Sequence, residues 1–309
     1  MTPLRSRKSL WQPRGRVCLV TGGAQGIGWE VTRLLASAGA HVYVADICDD
    51  NLHEARRRLA DCPGGDRVRL ARVDVTDQGQ VQDWTAQALE GHGHIDVLVN
   101  NAAFVRWQDF HESNAPDALL MMRTGYDAMV HTVAAVLPPM RYQRSGHIVN
   151  MGSSVSRVRG RGPAAAYTAT KAAVEAFTEV TRLELAGHGI QVTLVRPGLV
   201  AGTDFFRRHV PSDRLPRFAD HLPPCTPEQV AVAIGRALAK GTDTVDIPGW
   251  LPLSYGAYQM SPRAFRWLAA LGGPARRDFG HPPTPHPRQA GQPQPQPQLQ
   301  ASPTTRTTT

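Results

Sequence analysis

The sequence predicts an α/β fold in which one parallel sheet is covered by helices on both faces. Short apolar runs rich in β-branched residues alternate with segments of helical spacing from residue 15 to residue 248. Most of these runs are apolar throughout, as expected for strands that are buried on both faces. The length of 309 residues and the hydrophobic fraction of 41% are sufficient for one large core.

The predicted elements follow one another in strand–helix order. Strands are expected at residues 16–21, 41–45, 68–73, 95–100, 147–151, 190–195 and 244–247. Helices are expected at 27–38, 49–60, 78–90, 164–187 and 227–240, with a further long helix that ends near Pro138. Because crossovers between parallel strands are right-handed, the predicted topology is a Rossmann-type doubly wound sheet.

A glycine-rich turn joins the first strand to the first helix. Residues 21–28 read TGGAQGIG and contain Gly22, Gly26 and Gly28. Glycine lets the backbone turn tightly and approach a pyrophosphate, and the N-terminus of the following helix offers free N–H groups to it. The strand before the turn and the helix after it are the context that dinucleotide binding requires.

The second predicted strand ends at Asp46, 18 residues after Gly28. A carboxylate at this place accepts hydrogen bonds from the ribose hydroxyls of adenosine. It would repel a 2′-phosphate by about 4 kcal/mol at a separation of about 4 Å. No Lys or Arg is adjacent to Asp46 in the sequence or lies inside the glycine-rich turn. The pattern therefore predicts NAD in preference to NADP.

A second group of polar residues predicts acid–base chemistry. Tyr167 and Lys171 are four residues apart on a predicted helix and so share one face, and Ser154 lies thirteen residues before Tyr167. A nearby ammonium group stabilises a phenolate and is expected to lower the pKa of Tyr167 from its usual value of about 10. Tyr167 would then exchange a proton with an alcohol or ketone, while Ser154 hydrogen bonds the same oxygen.

These motifs together resemble the short-chain dehydrogenase/reductase family, in its shorter single-domain branch, over residues 15–248. Asp74-Val75, the run 100–103 (NNAA) and Pro197-Gly198 also match. The resemblance implies that Tyr167 is the general acid/base, that Lys171 binds the nicotinamide ribose and that Ser154 orients the substrate oxygen. It implies cofactor contacts from Gly22, Gln25, Gly26, Ile27, Gly28, Asp46, Asp74, Val75, Asn101, Tyr167, Lys171, Gly198 and Val200. It also implies a homo-oligomer.

The sequence departs from the family pattern in the long helix before the predicted active-site strand. The family places there an Asn that helps to hold a water behind the lysine, and counting back from Pro138 puts Gly125 at this position. Asp127 is the alternative if the register differs by two residues. We expect the proton relay to run through backbone and water at this point. Ala103 and Thr203 are smaller departures, the latter one residue later than in the family.

The function that the sequence predicts is an NAD-dependent oxidoreductase acting on a hydrophobic secondary alcohol or ketone. The substrate side would be formed by residues 104–107, residues after Ser154 and the loop 203–226, which is expected to be a lid. A non-catalytic cofactor-binding scaffold or sensor on the same fold remains an alternative because of Gly125. A carbon–oxygen lyase acting on a nucleotide-sugar would require a longer C-terminal substrate domain than residues 249–309 offer.

The net charge of +8 belongs to the two ends of the chain. Residues 1–16 hold five basic residues and no acid, and residues 263–309 hold six Arg and one Asp. A nucleic-acid interface on the core is therefore not expected. We expect a basic extension over 1–14, one Rossmann-fold domain over 15–272 and a disordered tail rich in Pro, Gln and Thr over 273–309.

The sequence pattern also leads to expectations about cellular location, metal sites and contact with a membrane. No apolar run reaches the ~18 residues of a membrane span and no secretory signal is present, which predicts a cytoplasmic protein. The cysteine and histidine spacings predict no metal site. Residues 263–270 form an amphipathic stretch. We expect this stretch to pack on the body or on a partner subunit, with peripheral contact to a membrane as the alternative.

Overall fold

The computed structural model describes residues 12–107, 110, 115–159, 165–203, 215, 220, 222, 224–271 and 273. The predicted basic extension, except its last three residues, most of the predicted lid and the tail after residue 273 lie outside these described residues.

Seven parallel strands of the described residues form one sheet, as the sequence predicts. The strands are β1 Val17–Thr21, β2 His41–Asp46, β3 Val68–Arg72, β4 Val97–Asn100, β5 Gly146–Met151, β6 Ile190–Pro197 and β7 Thr244–Ile247. Their order is β3-β2-β1-β4-β5-β6-β7. The direction of strand order reverses between β1 and β4, and the crevice at the carboxyl ends of these two strands is where such sheets bind ligands.

Nine helices are placed among the described residues. They are α1 Gly26–Ser37, α2 Asp49–Ala60, α3 Gln78–His92, α4 Ala115–Met122, α5 Ala128–Gln143, α6 Ala165–Leu185, α7 Pro227–Lys240, α8 Leu251–Met260 and α9 Pro262–Ala270. None of the helices in the described part is long and apolar enough to cross a bilayer.

The core consists of two hydrophobic layers, one on each face of the sheet. On one face Val20 packs with Leu35 of α1 and Ile234 of α7. On the other face Leu19 packs with Trp84 of α3, and residues of α5 and α6 complete the layer. Adjacent residues of β1 therefore enter opposite layers, which explains why the strand is apolar at every position.

The long helix before β5 differs from the prediction at its C-terminus. It does not end near Pro138, because α5 includes Pro138 and Pro139 and continues to Gln143. Proline usually ends a helix, since it lacks a backbone donor and clashes with the preceding turn. Here Val136 and Met140, both fully buried, anchor the helix on either side of the two prolines. Tertiary packing thus outweighs the local penalty.

Candidate active site

The glycine-rich turn has a backbone that only glycine accommodates. Gly22 and Gly26 have φ angles of +60° and +54°, and a Cβ atom on Gly28 would lie 2.0 Å from the carbonyl oxygen of Gly22. The side-chain amide of Asn101 braces the turn by donating to the carbonyl oxygens of Thr21 (3.1 Å) and Gly22 (3.0 Å). The turn is therefore fixed in shape and presents its bare backbone.

Helix α1 begins at this turn, and its first N–H groups are available to an anion. Gln25, the N-cap residue, gives no side-chain cap, and the first turn holds no acidic residue. The positive end of the helix dipole therefore points into the turn without a carboxylate to offset it. A pyrophosphate fits this cradle, so the residues present suit a dinucleotide cofactor. Thr203 lies next to the same turn, because its Cγ2 would be 3.8 Å from a Cβ on Gly26.

Asp46 is held against the glycine-rich turn at the end of β2. Its carboxylate accepts hydrogen bonds from the backbone N–H groups of Ala24 (3.3 Å) and Cys48 (3.0 Å). Burial raises the pKa of Asp46 above its ordinary value, and the backbone hydrogen bonds oppose this effect. The carboxylate therefore lies between the turn and the start of α2, where the sequence predicts the adenosine ribose.

A basic residue approaches Asp46 from the neighbouring strand. The parallel register of β2 and β3 pairs Asp46 with Arg72, whose Nε lies 3.2 Å from Oδ2 of Asp49. The observation that no Lys or Arg stands beside Asp46 holds only along the sequence. In the sheet, strand pairing places Arg72 next to Asp46 from 26 positions away along the chain.

Tyr167 and Lys171 lie together on α6, as the four-residue spacing predicts. Nζ of Lys171 is 5.8 Å from the centre of the Tyr167 ring and donates a hydrogen bond to the carbonyl oxygen of Met151 (2.7 Å). Both side chains are buried, with Tyr167 only 8% exposed. The side chain of Tyr167 is hydrogen bonded to the side chain of Ser153.

The serine that is hydrogen bonded to Tyr167 is thus Ser153, whereas the sequence predicts Ser154. Ser153 is buried directly after β5 and caps a short 3₁₀ turn, with Oγ accepting from the N–H of Val155 at 3.4 Å. Ser154 is half-buried, and its side chain makes no hydrogen bond within the described residues. The position of the serine is set by the end of β5, so counting back from the helix across a loop misplaces it by one residue.

Burial is the main cause of the pKa shifts of Tyr167 and Lys171 on α6. It raises the pKa of Tyr167 to about 12, and the hydrogen bond with Ser153 lowers it by less. Burial also lowers the pKa of Lys171 to about 8. The predicted lowering of the Tyr167 pKa by Lys171 is therefore not found in the structure. The reason is that the loss of hydration of the phenolate outweighs the effect of its neighbours.

The remaining predicted cofactor residues lie at the carboxyl ends of the strands. Asp74 and Val75 follow β3, and Oδ1 of Asp74 accepts hydrogen bonds from the N–H and the hydroxyl of Thr76 (2.9 and 2.7 Å). After β6, the N–H of Gly198 donates to the carbonyl oxygen of Ile247, and Val200 pairs with Cys225. Gln25 is exposed and Ile27 half-buried at the start of α1.

Gly125 lies in a π-helical turn, Arg123–Asp127, between α4 and α5. A Cβ atom at this position would lie 2.4 Å from Cγ2 of Thr170 on α6, so a side chain here would require Thr170 to move. A cavity of about 10 Å³, close to the volume needed for one water, lies between this turn and Lys171. Thr124 lines the cavity and Asp127 does not. Thr124, which the sequence pattern did not single out, is therefore the polar residue of this turn that lines the cavity.

Tyr167 belongs to an apolar cluster that forms a wall around its ring. The ring of Trp107 lies 5.5 Å from the ring of Tyr167, centre to centre. The buried residues Val105, Met121 and Leu215 belong to the same cluster, and Phe104, Val155 and Leu199 pack against it. Nε1 of Trp107 is buried and has no hydrogen-bond partner in the described part of the chain.

A buried ion-pair network connects the elements that carry the site. Glu175 on α6 accepts hydrogen bonds from Nε of Arg157, just after the serine turn, and from Nη1 of Arg196 at 2.9 Å. Arg196 donates both Nε and Nη2 to Asp246 on β7 (2.8 Å each), and the hydroxyl of Tyr255 donates to the same carboxylate (2.8 Å). The sequence analysis missed this network because its members are far apart in the chain.

Comparison with known proteins gives one family. The sequence model of the family described as short chain dehydrogenase matches residues 16–213. The chain is 37% identical over 196 residues to the 3-oxoacyl-acyl-carrier-protein reductase FabG of Thermotoga maritima, covering 60% of this chain and 74% of that protein. It is 31% identical over 224 residues to the NADP-dependent 3-hydroxy acid dehydrogenase YdfG of Escherichia coli K12, covering 71% and 87%.

Solved structures show the same fold. A short chain dehydrogenase/reductase from Burkholderia phymatum, in complex with NAD, matches with a TM-score of 0.71 and 24% identity, covering 83% of this chain and 97% of that one. A short-chain dehydrogenase from Novosphingobium aromaticivorans matches with a TM-score of 0.69 and 23% identity, covering 82% and 88%.

Proposed function

The chain belongs to the short-chain dehydrogenase/reductase family, and from this membership we propose that it is an NAD-dependent oxidoreductase of hydrophobic secondary alcohols or ketones. The family fixes the general activity, which is oxidation or reduction of a hydroxy or oxo substrate with a nicotinamide cofactor. The observation that carries the proposal is the buried group of Tyr167, Ser153 and Lys171 at the carboxyl ends of the strands that border the glycine-rich turn.

In the proposed mechanism, Tyr167 is the acid/base and Ser153 holds the substrate oxygen. The Tyr167 hydroxyl gives its proton to the ketone oxygen in reduction and takes it back in oxidation. The Ser153 hydroxyl, which is bonded to Tyr167 in this structure, would hydrogen bond the same oxygen when a substrate binds. The nicotinamide, when bound, supplies or accepts the hydride and in its oxidised form adds a positive charge that favours the phenolate.

Lys171 has two roles in this proposal. It would bind the nicotinamide ribose, and its Nζ connects the site to the cavity beside Thr124. With a pKa of about 8, Lys171 is mostly protonated at pH 7 yet able to pass a proton to a water in that cavity. After Tyr167 has given its proton to the substrate, a new proton would reach it along this route of cavity water and Lys171.

The preference for NAD rests on the carboxylate of Asp46. It would face the ribose hydroxyls of NAD and repel the 2′-phosphate of NADP. Arg72 favours NADP as the second candidate, since a guanidinium near the ribose accommodates a 2′-phosphate and the relative from Escherichia coli is named as NADP-dependent. We favour NAD because Arg72 is already paired with Asp49.

Titration of the purified chain with NADH and NADPH tests the cofactor. We expect NADH to bind at least about tenfold more tightly, because the difference in charge at Asp46 is worth more than the ~1.4 kcal/mol of a factor of ten. Asp46→Asn should reduce this preference, and Arg72→Ala should leave it unchanged. Tighter binding of NADPH, lost in Arg72→Ala, would show that the second candidate is correct.

The substrate class follows from the wall around Tyr167. Its aromatic and aliphatic side chains favour a substrate whose carbonyl carries apolar groups. The unpaired Nε1–H of Trp107 also favours a second oxygen acceptor near the reacting carbon, because a buried donor without a partner is costly. Hydrophobic 3-oxo esters have both features, and two relatives are named for 3-oxoacyl and 3-hydroxy acid substrates. They are the first substrates to test.

Replacement of the acid/base tests the activity itself. Tyr167→Phe removes the hydroxyl and is expected to lower kcat/KM for a 3-oxo ester by at least about a hundredfold, the usual worth of a positioned acid or base. NADH binding should change little. Tyr142→Phe, on a residue that is 94% exposed on α5, is the matched control. Turnover that survives in Tyr167→Phe would contradict the mechanism, and a chain that binds NADH without any turnover would favour the scaffold.

A further inference from the structure

Helices α8 and α9 extend from the last strand, and only α8 is anchored to the body. Leu251 and Tyr255 of α8 are buried, and the Tyr255 hydroxyl is bonded to Asp246. Helix α9 rests on α8 through an edge-on contact of Phe265 with Tyr258, with ring centres 5.6 Å apart. No residue of α9 is buried. Most of the surface of this stretch is therefore not covered by the body of the same chain.

The outer surface of the two helices is apolar. Trp267 is 64% exposed, and Leu268 and Leu271 are exposed beside it. Trp267 and Leu271 are four residues apart and so lie on one side of the helix, away from the contact of Phe265 with α8. Leu253 and Met260 of α8 are also 78% and 89% exposed. We call the three exposed residues at the end of α9, Trp267, Leu268 and Leu271, the C-terminal apolar face.

The charged residues of the two helices are all basic. Arg263 and Arg266 of α9 are exposed, and residues 247–277 contain no Asp or Glu. An apolar helix face flanked by arginines, with Trp at its edge, is the pattern of helices that lie in the headgroup region of a bilayer. Two copies of the chain meeting symmetrically at this face would bring the same arginines together, without carboxylates from these helices to pair them.

We propose that the C-terminal apolar face binds the surface of a bilayer that contains anionic phospholipids. Trp267, Leu268 and Leu271 insert among the headgroups and acyl chains, while Arg263 and Arg266 contact lipid phosphates. The folded body is attached through α8, whose inner side is held by Leu251 and Tyr255. Binding of this kind is peripheral and requires no helix that spans the membrane.

Sedimentation of the full chain with vesicles tests the proposal. We expect at least about tenfold stronger binding to phosphatidylcholine vesicles with 30% phosphatidylglycerol than to phosphatidylcholine alone. The combined variant Trp267→Ser, Leu268→Ser and Leu271→Ser should lose binding at least about tenfold at unchanged charge. The variant changes no buried residue, and unchanged NADH binding would confirm that it is folded.

The same variant separates the face from the basic ends of the chain. If arginines of the terminal segments alone attach the chain to vesicles, the serine variant will bind like the parent, and the proposal is wrong. A parent chain that does not sediment with anionic vesicles also overturns it. A dimer in solution that is lost in the serine variant would assign the face to a second copy instead. Tyr142→Ser, an exposed aromatic residue on α5, is the control and should bind like the parent.

Discussion

Two adjacent serines at the end of β5 have different surroundings, although the sequence does not distinguish them. Ser153 is buried, caps the turn and is bonded to Tyr167, whereas the side chain of Ser154 is half-buried. A motif that is defined by distance along the chain depends on the length of the loop between its members. One extra loop residue between the strand and the helix changes the number of residues between serine and tyrosine. It does not change which serine side chain reaches the tyrosine.

The alanine variants of the two serines give opposite predictions. Ser153→Ala removes the hydroxyl next to Tyr167 and should lower kcat/KM about a hundredfold, comparable with loss of one donor to a reacting oxygen. It also removes a cap, so we expect a loss of about 1 kcal/mol in the free energy of unfolding. Ser154→Ala should stay within about threefold of the parent in kcat/KM. Steady-state kinetics measures both effects. A larger loss of kcat/KM in Ser154→Ala than in Ser153→Ala would favour Ser154, the serine that the spacing predicts.

At the scale of elements, the π-helical turn between α4 and α5 is set by its contact with α6. The turn brings Gly125 so close to Thr170 that no side chain fits between them, and it leaves the cavity beside Lys171. Glycine in a helix normally costs about 1 kcal/mol relative to alanine. Here the sequence accepts this cost because the two elements must approach. The departure from the family pattern at this position is therefore coupled to the packing of the turn against α6.

Introducing Asn at this position should destabilise the chain unless Thr170 is trimmed. Gly125→Asn is expected to lower the free energy of unfolding by about 1 to 3 kcal/mol, as overpacking does. Thr170→Ser removes Cγ2 and keeps the hydroxyl that bonds the carbonyl oxygen of Ala166, so the double variant should recover most of the loss. Urea unfolding of the two single variants and the double variant measures the coupling.

The pH dependence of kcat in the folded double variant then tests the relay. If water and Thr124 now support proton transfer behind Lys171, an Asn in the cavity should shift the pH–rate profile. An unchanged profile would show that this position has no part in proton transfer. Strictly additive stabilities, in turn, would contradict the contact between Gly125 and Thr170.

For the whole molecule, the elements that form locally could be predicted from the sequence. All seven strands and the glycine-rich turn follow from apolar runs, helical spacing and glycine positions, which are properties of neighbouring residues. Features that depend on contact between distant segments could not be predicted. The pairing of Asp46 with Arg72, the ion pairs of Glu175 and the raised pKa of Tyr167 all arise from strand order and burial. These contacts and this pKa shift can be stated only once the fold is known.

One such buried group, His147 on β5, contributes to the pH dependence of the stability of the whole chain. Thr193 Oγ1 donates to the carbonyl oxygen of Thr242, so it accepts a hydrogen from Nε2 of His147 at 2.8 Å. Burial lowers the pKa of His147 to about 4 in the folded chain. Since the unfolded value is about 6.5, the unfolded chain takes up the proton first as the pH falls. The contribution of His147 to stability is complete above pH 6.5 and is lost between pH 6.5 and 4.

A glutamine at this position keeps a donor for Thr193 and cannot be protonated in this range. Between pH 7.5 and pH 5 the parent should lose about 2 kcal/mol more in the free energy of unfolding than His147→Gln does. Urea unfolding at the two pH values measures the difference, and His53→Gln, an exposed position on α2, is the matched control. Parallel losses in the parent and in His147→Gln would mean that His147 is already charged in the folded chain. Carboxylates or the contact of His41 with His92 would then have to account for the acid sensitivity of the fold.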